Sequence, residues 1–475
     1  MSLTRKIAHN TAIQFTGKIL GTLIALVTIS LMMRYLGNDG YGQYITTITY
    51  LSFIAIFFDL GLYLIVTREI SKKGANEQQL ISNTLTIRLV VACFVFLVAG
   101  LILYFFLPYS YITKMAILVN ASAFLFMSFN QLLTGLFQKH LRMEKVSIAE
   151  VVGRLFWLLA VVIVVKLELG LLWVVGTNSI AALLNFAVLY LFARKYVKIK
   201  LAFDFKVWKY IALVTAPLAV NVIFNALYFK AGPLILTWLK SEAEVSILGG
   251  AQKILENLTT FAAIFAGLLF PIFSKYLHEN KSKFKNAFQK GFDAISILIL
   301  PIICGTLFLG ERLIVLVGGE DFAASGGVLR VLIFAVGAIF FSNLFGNVVV
   351  AANLQKKLIP VYILNFILAI GISLIFIPKY SYYGAAASTL VTEIIMFIAP
   401  AVLVYKYLKV KPSLNVFSRS LLATGAMALV LLLIPSSLNL SIPLIAALLT
   451  YLVALYLFKG ISKEIIVEII SLKKM

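Results

Sequence analysis

The chain has 475 residues, of which 62% are hydrophobic and 13% are charged, and its mean hydropathy is +1.02. This composition excludes a soluble globular protein, because too little polar surface remains to face water. The formal net charge is +22. The basic residues lie in short segments between apolar runs, so we interpret the charge as membrane orientation and anionic-lipid contact, and we expect no nucleic-acid partner.

Apolar runs long enough to cross a bilayer follow one another along the whole chain. Each has about 20 residues or more, the length that a helix needs to cross a hydrocarbon core. Because the runs do not alternate in hydrophobicity, they predict helices and not a β-barrel. The predicted fold is an all-α polytopic membrane protein with about 14 transmembrane helices. The predicted spans are 12–36, 42–66, 81–107, 112–137, 147–166, 169–193, 210–238, 244–273, 291–309, 328–352, 358–377, 383–405, 417–434 and 441–458.

The spans group as six, six and two. The first group takes residues 1–200, the second takes 201–410, and residues 411–475 hold spans 13 and 14 and a tail. Of the 41 Lys and Arg residues, 29 fall in the segments that lie on the side of the N-terminus and 7 in the alternate segments. This bias predicts a multi-pass protein of the cytoplasmic membrane with both termini in the cytoplasm. The longest predicted loops are the basic segments 194–209 and 275–290.

Five basic residues fall inside the spans, where each costs about 3 kcal/mol if it faces lipid. They are Lys18, Arg88, Arg154, Lys230 and Lys253. The first three lie close enough to the cytoplasmic interface to extend toward phosphates instead, and the similar depths of Lys18 and Asp59 also allow an ion pair. Lys230 and Lys253 share one depth near the opposite face. Two like charges there suggest an aqueous space that attracts anions.

Polar residues recur at helical spacing near these lysines. Span 7 carries Asn221, Asn225 and Tyr228, and span 8 carries Gln252, Lys253, Glu256, Asn257 and Thr260. The carboxylates of Asp59, Glu256 and Glu393 are candidates for ion coupling or charge pairing, and the sequence leaves these roles open. Gly17 and Gly21 in span 1 have a spacing that favours close helix packing.

The sequence contains no group of residues typical of an enzyme active site. Its two cysteines lie alone in separate spans, and its three histidines have no Cys or carboxylate cluster around them. A phosphate-binding loop followed by Lys is absent as well. We therefore expect neither enzymatic activity nor a cofactor nor a metal site.

Several short motifs occur in a characteristic order along the chain. They are Arg34-Tyr35-Leu36-Gly37, Tyr41-Gly42-Gln43-Tyr44, Asp59-Leu60-Gly61-Leu62, Thr67-Arg68-Glu69, Leu269-Phe270-Pro271 and Tyr383-Gly384-Ala385-Ala386 with Glu393. With these motifs the chain resembles the polysaccharide transporter, or Wzx-type flippase, branch of the multidrug/oligosaccharidyl-lipid/polysaccharide (MOP) exporter superfamily. The resemblance covers essentially the whole chain.

The resemblance implies a fold like that of multidrug (MATE) transporters, in which the two groups of six helices form an N-terminal and a C-terminal lobe around a cavity lined by spans 1, 2, 7 and 8. It also implies a flippase that moves a polyprenyl-pyrophosphate-linked oligosaccharide, a precursor of O-antigen, capsule or another cell-surface glycan, by alternating access. Lys18, Lys230 and Lys253, then Arg88 and Arg154, are the candidates for the pyrophosphate. Asn221, Asn225, Tyr228 and Asn257 are candidates for the sugar.

The sequence leaves three alternatives open. A lipid II flippase needs the same anion chemistry, whereas a multidrug or organic-cation antiporter of the same fold needs a dominant carboxylate. A membrane scaffold for glycan assembly would need none of the five cations. The expected partners are the lipid-linked oligosaccharide and membrane lipids, and we also consider a glycan polymerase or ligase complex.

Overall fold

The computed structural model describes residues 3–435 and 437–460, with side chains for all of these except 3–12, 15, 217, 218, 220, 221 and 278. Fourteen α-helices fill most of this part of the chain, which contains no β-strand. The all-α prediction is therefore confirmed. The helices are α1 (Leu3–Asp59), α2 (Leu62–Ile70), α3 (Glu77–Phe105), α4 (Tyr111–Lys139), α5 (Met143–Lys166), α6 (Leu171–Ala193), α7 (Phe205–Leu239), α8 (Glu242–Glu279), α9 (Lys281–Gly318), α10 (Ala323–Ala351), α11 (Ile359–Tyr380), α12 (Tyr382–Leu403), α13 (Asn415–Leu433) and α14 (Ser441–Leu457).

Helix α1 holds two predicted spans, which meet at a sharp kink. Gly37 has φ 62° and ψ −170° inside the helix, a conformation that only glycine adopts readily because it has no Cβ. The second arm ends at Asp59, and α2 continues it after Leu60 and Gly61, which both have positive φ. The kink thus replaces the loop expected between spans 1 and 2.

The number of membrane crossings agrees with the prediction of about 14. Twelve segments of the described chain are long and apolar enough to cross a membrane. The first of them, Thr16–Ile70, contains predicted spans 1 and 2, and the shorter apolar helix α14 matches predicted span 14. Large exposed apolar side chains such as Phe94, Leu159 and Leu213 suit contact with lipid.

The basic segment 275–290 is helical, so its prediction as a loop is wrong. Helix α8 continues to Glu279 and α9 begins at Lys281. The Lys and Glu residues here favour a helix, and Asn280 caps α9 by accepting a hydrogen bond from the Lys283 N–H at 2.9 Å. These helices therefore extend past their apolar runs.

The other long segment, which joins α6 to α7, is largely non-helical as predicted. Residues 194–204 separate these helices, and the last part of this linker is fixed to α3 by backbone N–H groups. Those of Lys200, Ala202 and Asp204 donate to the side chains of Ser82, Thr86 and Asn83, respectively. Because the three acceptors are buried, the linker is anchored to the helical bundle.

The described residues form two compact units. Unit 1 contains the residues up to Gly249 together with Val317–Asp321 and Phe366–Ala385, and unit 2 contains Gly250–Leu316, Phe322–Asn365 and the residues from Ala386 onward. Within unit 2, α13 and α14 pack against each other and against α9 through a buried cluster that includes Cys304, Met427 and Tyr451. The predicted division of the chain at residues 200 and 410 stays a prediction.

Candidate functional site

A cluster of two cations and one carboxylate joins the first arm of α1 to α5 in unit 1. Arg154 Nη2 donates to Glu150 Oε1 at 2.6 Å, and Lys18 Nζ lies 3.5 Å from the same oxygen. Arg154 Nη1 also donates to the carbonyl oxygen of Gly21 at 2.5 Å. We call Lys18, Glu150 and Arg154 the α1/α5 charge cluster, and its formal charge is positive.

Two glycines allow α1 to approach α5 at this cluster. A Cβ at Gly17 would lie 2.8 Å from Ser147 Cβ, and one at Gly21 would lie 3.1 Å from Arg154 Cδ. These distances confirm that the glycines serve close helix packing. They also explain why the Gly21 carbonyl oxygen is within reach of the guanidinium.

The cluster lies deep along α5 and remains partly accessible. Arg154 is eleven residues after Met143 and twelve before Lys166, so it is about 17 Å from either end of the helix. The exposed fractions of the Lys18, Glu150 and Arg154 side chains are 34, 27 and 25%. A positively charged group at this depth, with part of its surface open, can bind an anion.

Arg88 and Asp59 form a second ion pair, between α3 and the end of α1. Arg88 Nη2 donates to Asp59 Oδ1, and Nη1 donates to the carbonyl oxygen of Ser128 on α4. The Arg88 side chain is completely buried, whereas that of Asp59 is 30% exposed. The ion pair between Lys18 and Asp59 that their depths allowed does not form, since Lys18 pairs with Glu150 and Asp59 pairs with Arg88. Because Arg88 is fully buried, it does not extend toward an interface.

Helix α7 carries three of the candidate residues whose side chains are described. Lys230 is partly buried, with its Nζ 5.6 Å from the centre of the Phe229 ring, and Asn225 is exposed. Tyr228 is only 7% exposed, so most of its ring serves packing. The candidate Asn221 lies outside the residues whose side chains are described.

The polar face predicted for span 8 is present on α8 in unit 2. Lys253 Nζ donates to Glu256 Oε2 at 3.1 Å, with exposed fractions of 34 and 39% for the two side chains. The amide of Asn257 donates to the carbonyl oxygen of Lys253 at 2.9 Å, and the Thr260 hydroxyl donates to that of Glu256. The cation on this face therefore has a carboxylate one turn away.

The last candidate carboxylate, Glu393, is buried on α12. Its exposed fraction is 4%, and the neighbouring Thr392 is buried as well. Glu393 belongs to unit 2, and its role in ion coupling stays a prediction.

The sequence did not predict a hydrogen-bond network that surrounds Glu69. This carboxylate, 3% exposed at the end of α2, accepts hydrogen bonds from Lys72 Nζ at 2.5 Å and from the Tyr210 hydroxyl of α7 at 2.6 Å. The hydrogen bond to Glu69 raises the pKa of the Lys72 ammonium, which lies beyond α2. The motif Thr67-Arg68-Glu69 marked the carboxylate, but no sequence signal pointed to Tyr210.

Residues 7–277, more than half of the chain, match the family described as polysaccharide biosynthesis protein. A curated protein from Staphylococcus aureus, the capsular polysaccharide biosynthesis protein CapF, is 24% identical over 395 residues. The alignment covers 81% of this chain and 96% of that protein.

Solved structures with a similar fold are membrane transporters. The lipid II flippase MurJ in an inward closed conformation matches with a TM-score of 0.77 and 13% identity, over 95% of this chain and 98% of that one. An inward-facing multidrug resistance MATE transporter of the MOP superfamily matches with a TM-score of 0.61 and 14% identity, over 84 and 99%. A MOP superfamily transporter from Pyrococcus furiosus, described as having a binding pocket of reverse polarity, matches with a TM-score of 0.54 and 13% identity, over 83 and 96%.

Proposed function

Because the chain belongs to the polysaccharide biosynthesis protein family and has the MOP superfamily fold, we propose that it is a flippase for a polyprenyl-pyrophosphate-linked oligosaccharide. It moves the glycan headgroup across the cytoplasmic membrane by alternating access, and both of its termini lie in the cytoplasm. The glycan is a precursor of a capsule, O-antigen or other surface polysaccharide. We also propose that the protein works together with a glycan polymerase or ligase.

The observation that carries the proposal is the positive charge of the α1/α5 charge cluster. Lys18 and Arg154 share the single carboxylate of Glu150, so one unit of positive charge is left over at mid-helix depth. A pyrophosphate carries at least two negative charges and would be attracted strongly where water is scarce. Lys18 can turn from Glu150 toward a phosphate because its flexible stem carries a compact ammonium group.

Lys230 is the second cation that we assign to pyrophosphate binding. It lies on α7 in the same unit, at partial burial and beside an aromatic ring. Asn225, which is exposed nearby along α7, can donate and accept hydrogen bonds with sugar hydroxyls. Asn221 and Tyr228 remain candidates for the sugar, and Arg88 is left out because its guanidinium is buried against Asp59 and Ser128.

We assign a role in ion coupling to the polar face of α8 in unit 2. Lys253 is matched by Glu256 at 3.1 Å, so the pair carries little net charge and attracts an anion less than the α1/α5 charge cluster does. Protonation of Glu256 would remove the negative charge beside Lys253, which links H⁺ binding to a gain of positive charge on this face. Lys253 and Asn257 stay candidates for substrate contact on this basis.

The pairing of the carboxylates disfavours an organic-cation antiporter. Asp59 bonds to Arg88, Glu150 to Lys18 and Arg154, and Glu256 to Lys253. A cationic drug would have to displace a protein cation at each of these positions. A lipid II flippase remains the closer rival, because lipid II also presents a pyrophosphate, and substrate identity has to be measured.

The proposal is tested with a fluorescent polyprenyl-pyrophosphate oligosaccharide in proteoliposomes. Lys18→Gln and Lys230→Gln should each slow headgroup translocation roughly tenfold, the effect of losing one partly screened charge interaction. The control is Lys166→Gln, which removes an exposed cation from the end of α5 and should leave the rate unchanged.

Two results would overturn different parts of the proposal. Normal translocation by both Lys18→Gln and Lys230→Gln would remove the assigned cations while leaving the flippase function in place. Absence of translocation by the correctly inserted wild-type chain, together with exchange of an organic cation for H⁺ or Na⁺, would replace the flippase by an antiporter. A parallel assay with lipid II separates the two flippase substrates.

A further inference from the structure

Five lysines and two tyrosines lie together in unit 2, where α12 ends and where a short 3₁₀ helix precedes α11. All seven side chains are exposed. We call this set the Lys-Tyr patch: Lys356, Lys357, Tyr405, Lys406, Tyr407, Lys409 and Lys411. The candidate substrate-binding residues lie elsewhere in the sequence.

The backbone holds the patch in place. Helix α12 passes into a π-helix, Val404–Leu408, and the chain then turns at Lys409, which has φ 54°. Val404 and Val410 are buried on either side of the exposed residues, at 0 and 4% exposure. The patch is therefore part of an anchored surface, and π-helical turns of this kind are frequent at functional sites.

Aromatic rings position the lysine ammonium groups. Lys357 Nζ lies 4.5 Å from the centre of the Tyr407 ring, although the two residues are 50 positions apart in the sequence. Lys411 Nζ lies 4.3 Å from the centre of the Tyr405 ring. Cation–π contacts of this length hold an ammonium group without neutralising its charge.

No carboxylate balances these charges in the described part of the chain, where none of the five lysines has an Asp or Glu oxygen within 4.0 Å. The sequence itself is poor in acids here, since Glu393 is the only acidic residue between Asp321 and Glu464. Other basic segments differ: Lys72 pairs with Glu69 and Lys139 pairs with Glu77. The Lys-Tyr patch keeps its positive charge exposed.

We propose that the Lys-Tyr patch is a binding site for the headgroup of an anionic phospholipid of the surrounding bilayer. The patch lies at the end of an apolar helix that is long enough to cross the membrane, where tyrosines favour the level of the headgroups. Lysines near such a surface attract anionic lipids. The positioned ammonium groups of Lys357 and Lys411 would bind the phosphodiester, and the acyl chains would lie along the apolar surface of α12.

The site differs from a general bias of positive charge toward one membrane face. A general bias would make every basic segment bind anionic lipid in proportion to its charge. If the patch is a specific binding site, the loss of lipid affinity depends on which lysines are replaced. The chain offers a matched control, because Lys281 and Lys285 are exposed in the same unit and contact no ring or carboxylate among the side chains that the structure describes.

The experiment is a native mass spectrometry titration of the detergent-purified full chain with dioleoylphosphatidylglycerol. Lys357→Gln/Lys411→Gln should weaken the tightest lipid-binding step roughly tenfold, whereas Lys281→Gln/Lys285→Gln should change it less than about twofold. Both variants change exposed residues, so folding should be preserved. Dioleoylphosphatidylcholine should bind weakly to all three proteins.

A second variant tests the aromatic contribution. Tyr405→Leu/Tyr407→Leu keeps every charge but removes both rings, and it should also weaken the tightest step. Any of three results would overturn the assignment. The two lysine variants could lose equal lipid affinity, phosphatidylcholine could bind as tightly as phosphatidylglycerol, or millimolar inorganic phosphate could displace the lipid. The result does not depend on the transported substrate, so it stands apart from the flippase proposal.

Discussion

Two ion-pair groups of unit 1 each join basic side chains to one carboxylate within the membrane helices, and they differ in exposure and charge balance. In one, Arg88 is completely buried and has one carboxylate partner, Asp59. In the other, Lys18 and Arg154 share Glu150, and all three side chains remain partly exposed. A buried, balanced pair holds helices together, whereas an open group with surplus charge can still bind an anion. Depth in the membrane alone does not separate these roles.

Arg88→Met should have the largest effect on folding. It leaves Asp59 without its cation, and removing one partner of a buried pair costs about 3–5 kcal/mol. Thermal unfolding in detergent, followed on a size-exclusion column, measures the loss. The double variant Asp59→Asn/Arg88→Met should recover part of it because no unpaired charge remains. Wild-type stability of Arg88→Met would show that this pair is not structural.

Glu150→Gln should have an intermediate effect on stability and should raise anion affinity. The amide can still accept from Arg154, but a charged hydrogen bond is lost, which costs about 1–2 kcal/mol. Lys18 and Arg154 then carry two uncompensated charges, so a polyprenyl pyrophosphate should bind more tightly and be released more slowly. The measurements are the midpoint of thermal unfolding and the equilibrium binding of the lipid. Weaker lipid binding by this variant would contradict the assignment of the cluster.

Lys18→Gln should slow transport while leaving the stability of the protein almost unchanged. Its ion pair with Glu150 is partly exposed and 3.5 Å long, so its loss should change the free energy of unfolding by less than about 1 kcal/mol. Translocation should fall in the same protein. A destabilisation as large as that of Arg88→Met would contradict this interpretation, because it would show that Lys18 has a structural role.

The smallest expected effect concerns Asp204 at the start of α7. Its side chain accepts hydrogen bonds from the backbone N–H groups of Val207 and Lys206 and from Gln79. The bond from Val207 contributes most to lowering the pKa of this partly exposed carboxyl. A lowered pKa means that the stabilisation is complete above about pH 4, the value for the unfolded chain, and is lost as the pH falls through the folded value.

Asp204→Asn should therefore flatten the loss of stability below pH 4 and leave stability near pH 7 almost unchanged, since Asn also caps helices. Thermal unfolding at a series of pH values checks this. Identical acid profiles for wild type and variant would show that Asp204 does not contribute to acid stability.

The sequence was sufficient to predict the membrane helices. Apolar length determined each span, and predicted spans 13 and 14 lie within two residues of α13 (Asn415–Leu433) and α14 (Ser441–Leu457). The ends of the helices beyond the apolar runs were harder to place. The segment 275–290 is polar enough for a loop, yet Phe284 and Phe288 are buried. These two residues are four positions apart, which is a helical spacing, and it could have indicated that α9 begins before its apolar run.

The ion pairs were less predictable than the helices. Glu150 and Arg154 are four residues apart, so their pairing on one helix was readable from the spacing. The partners of Lys18 and Asp59 lie on α5 and α3, and depth counted from span ends could not choose between helices. The contact of Tyr210 with Glu69 spans 141 positions and depends on how α7 packs against α2.

The most direct measurement compares the binding of a polyprenyl pyrophosphate with that of the matching polyprenol to the detergent-purified chain. If the α1/α5 charge cluster binds the pyrophosphate, the wild type should bind the pyrophosphate form more tightly than the alcohol. Lys18→Gln should then lose most of this preference while Lys166→Gln keeps it. Equal binding of the two lipids by the wild type, or a preference unchanged in Lys18→Gln, would contradict the assignment.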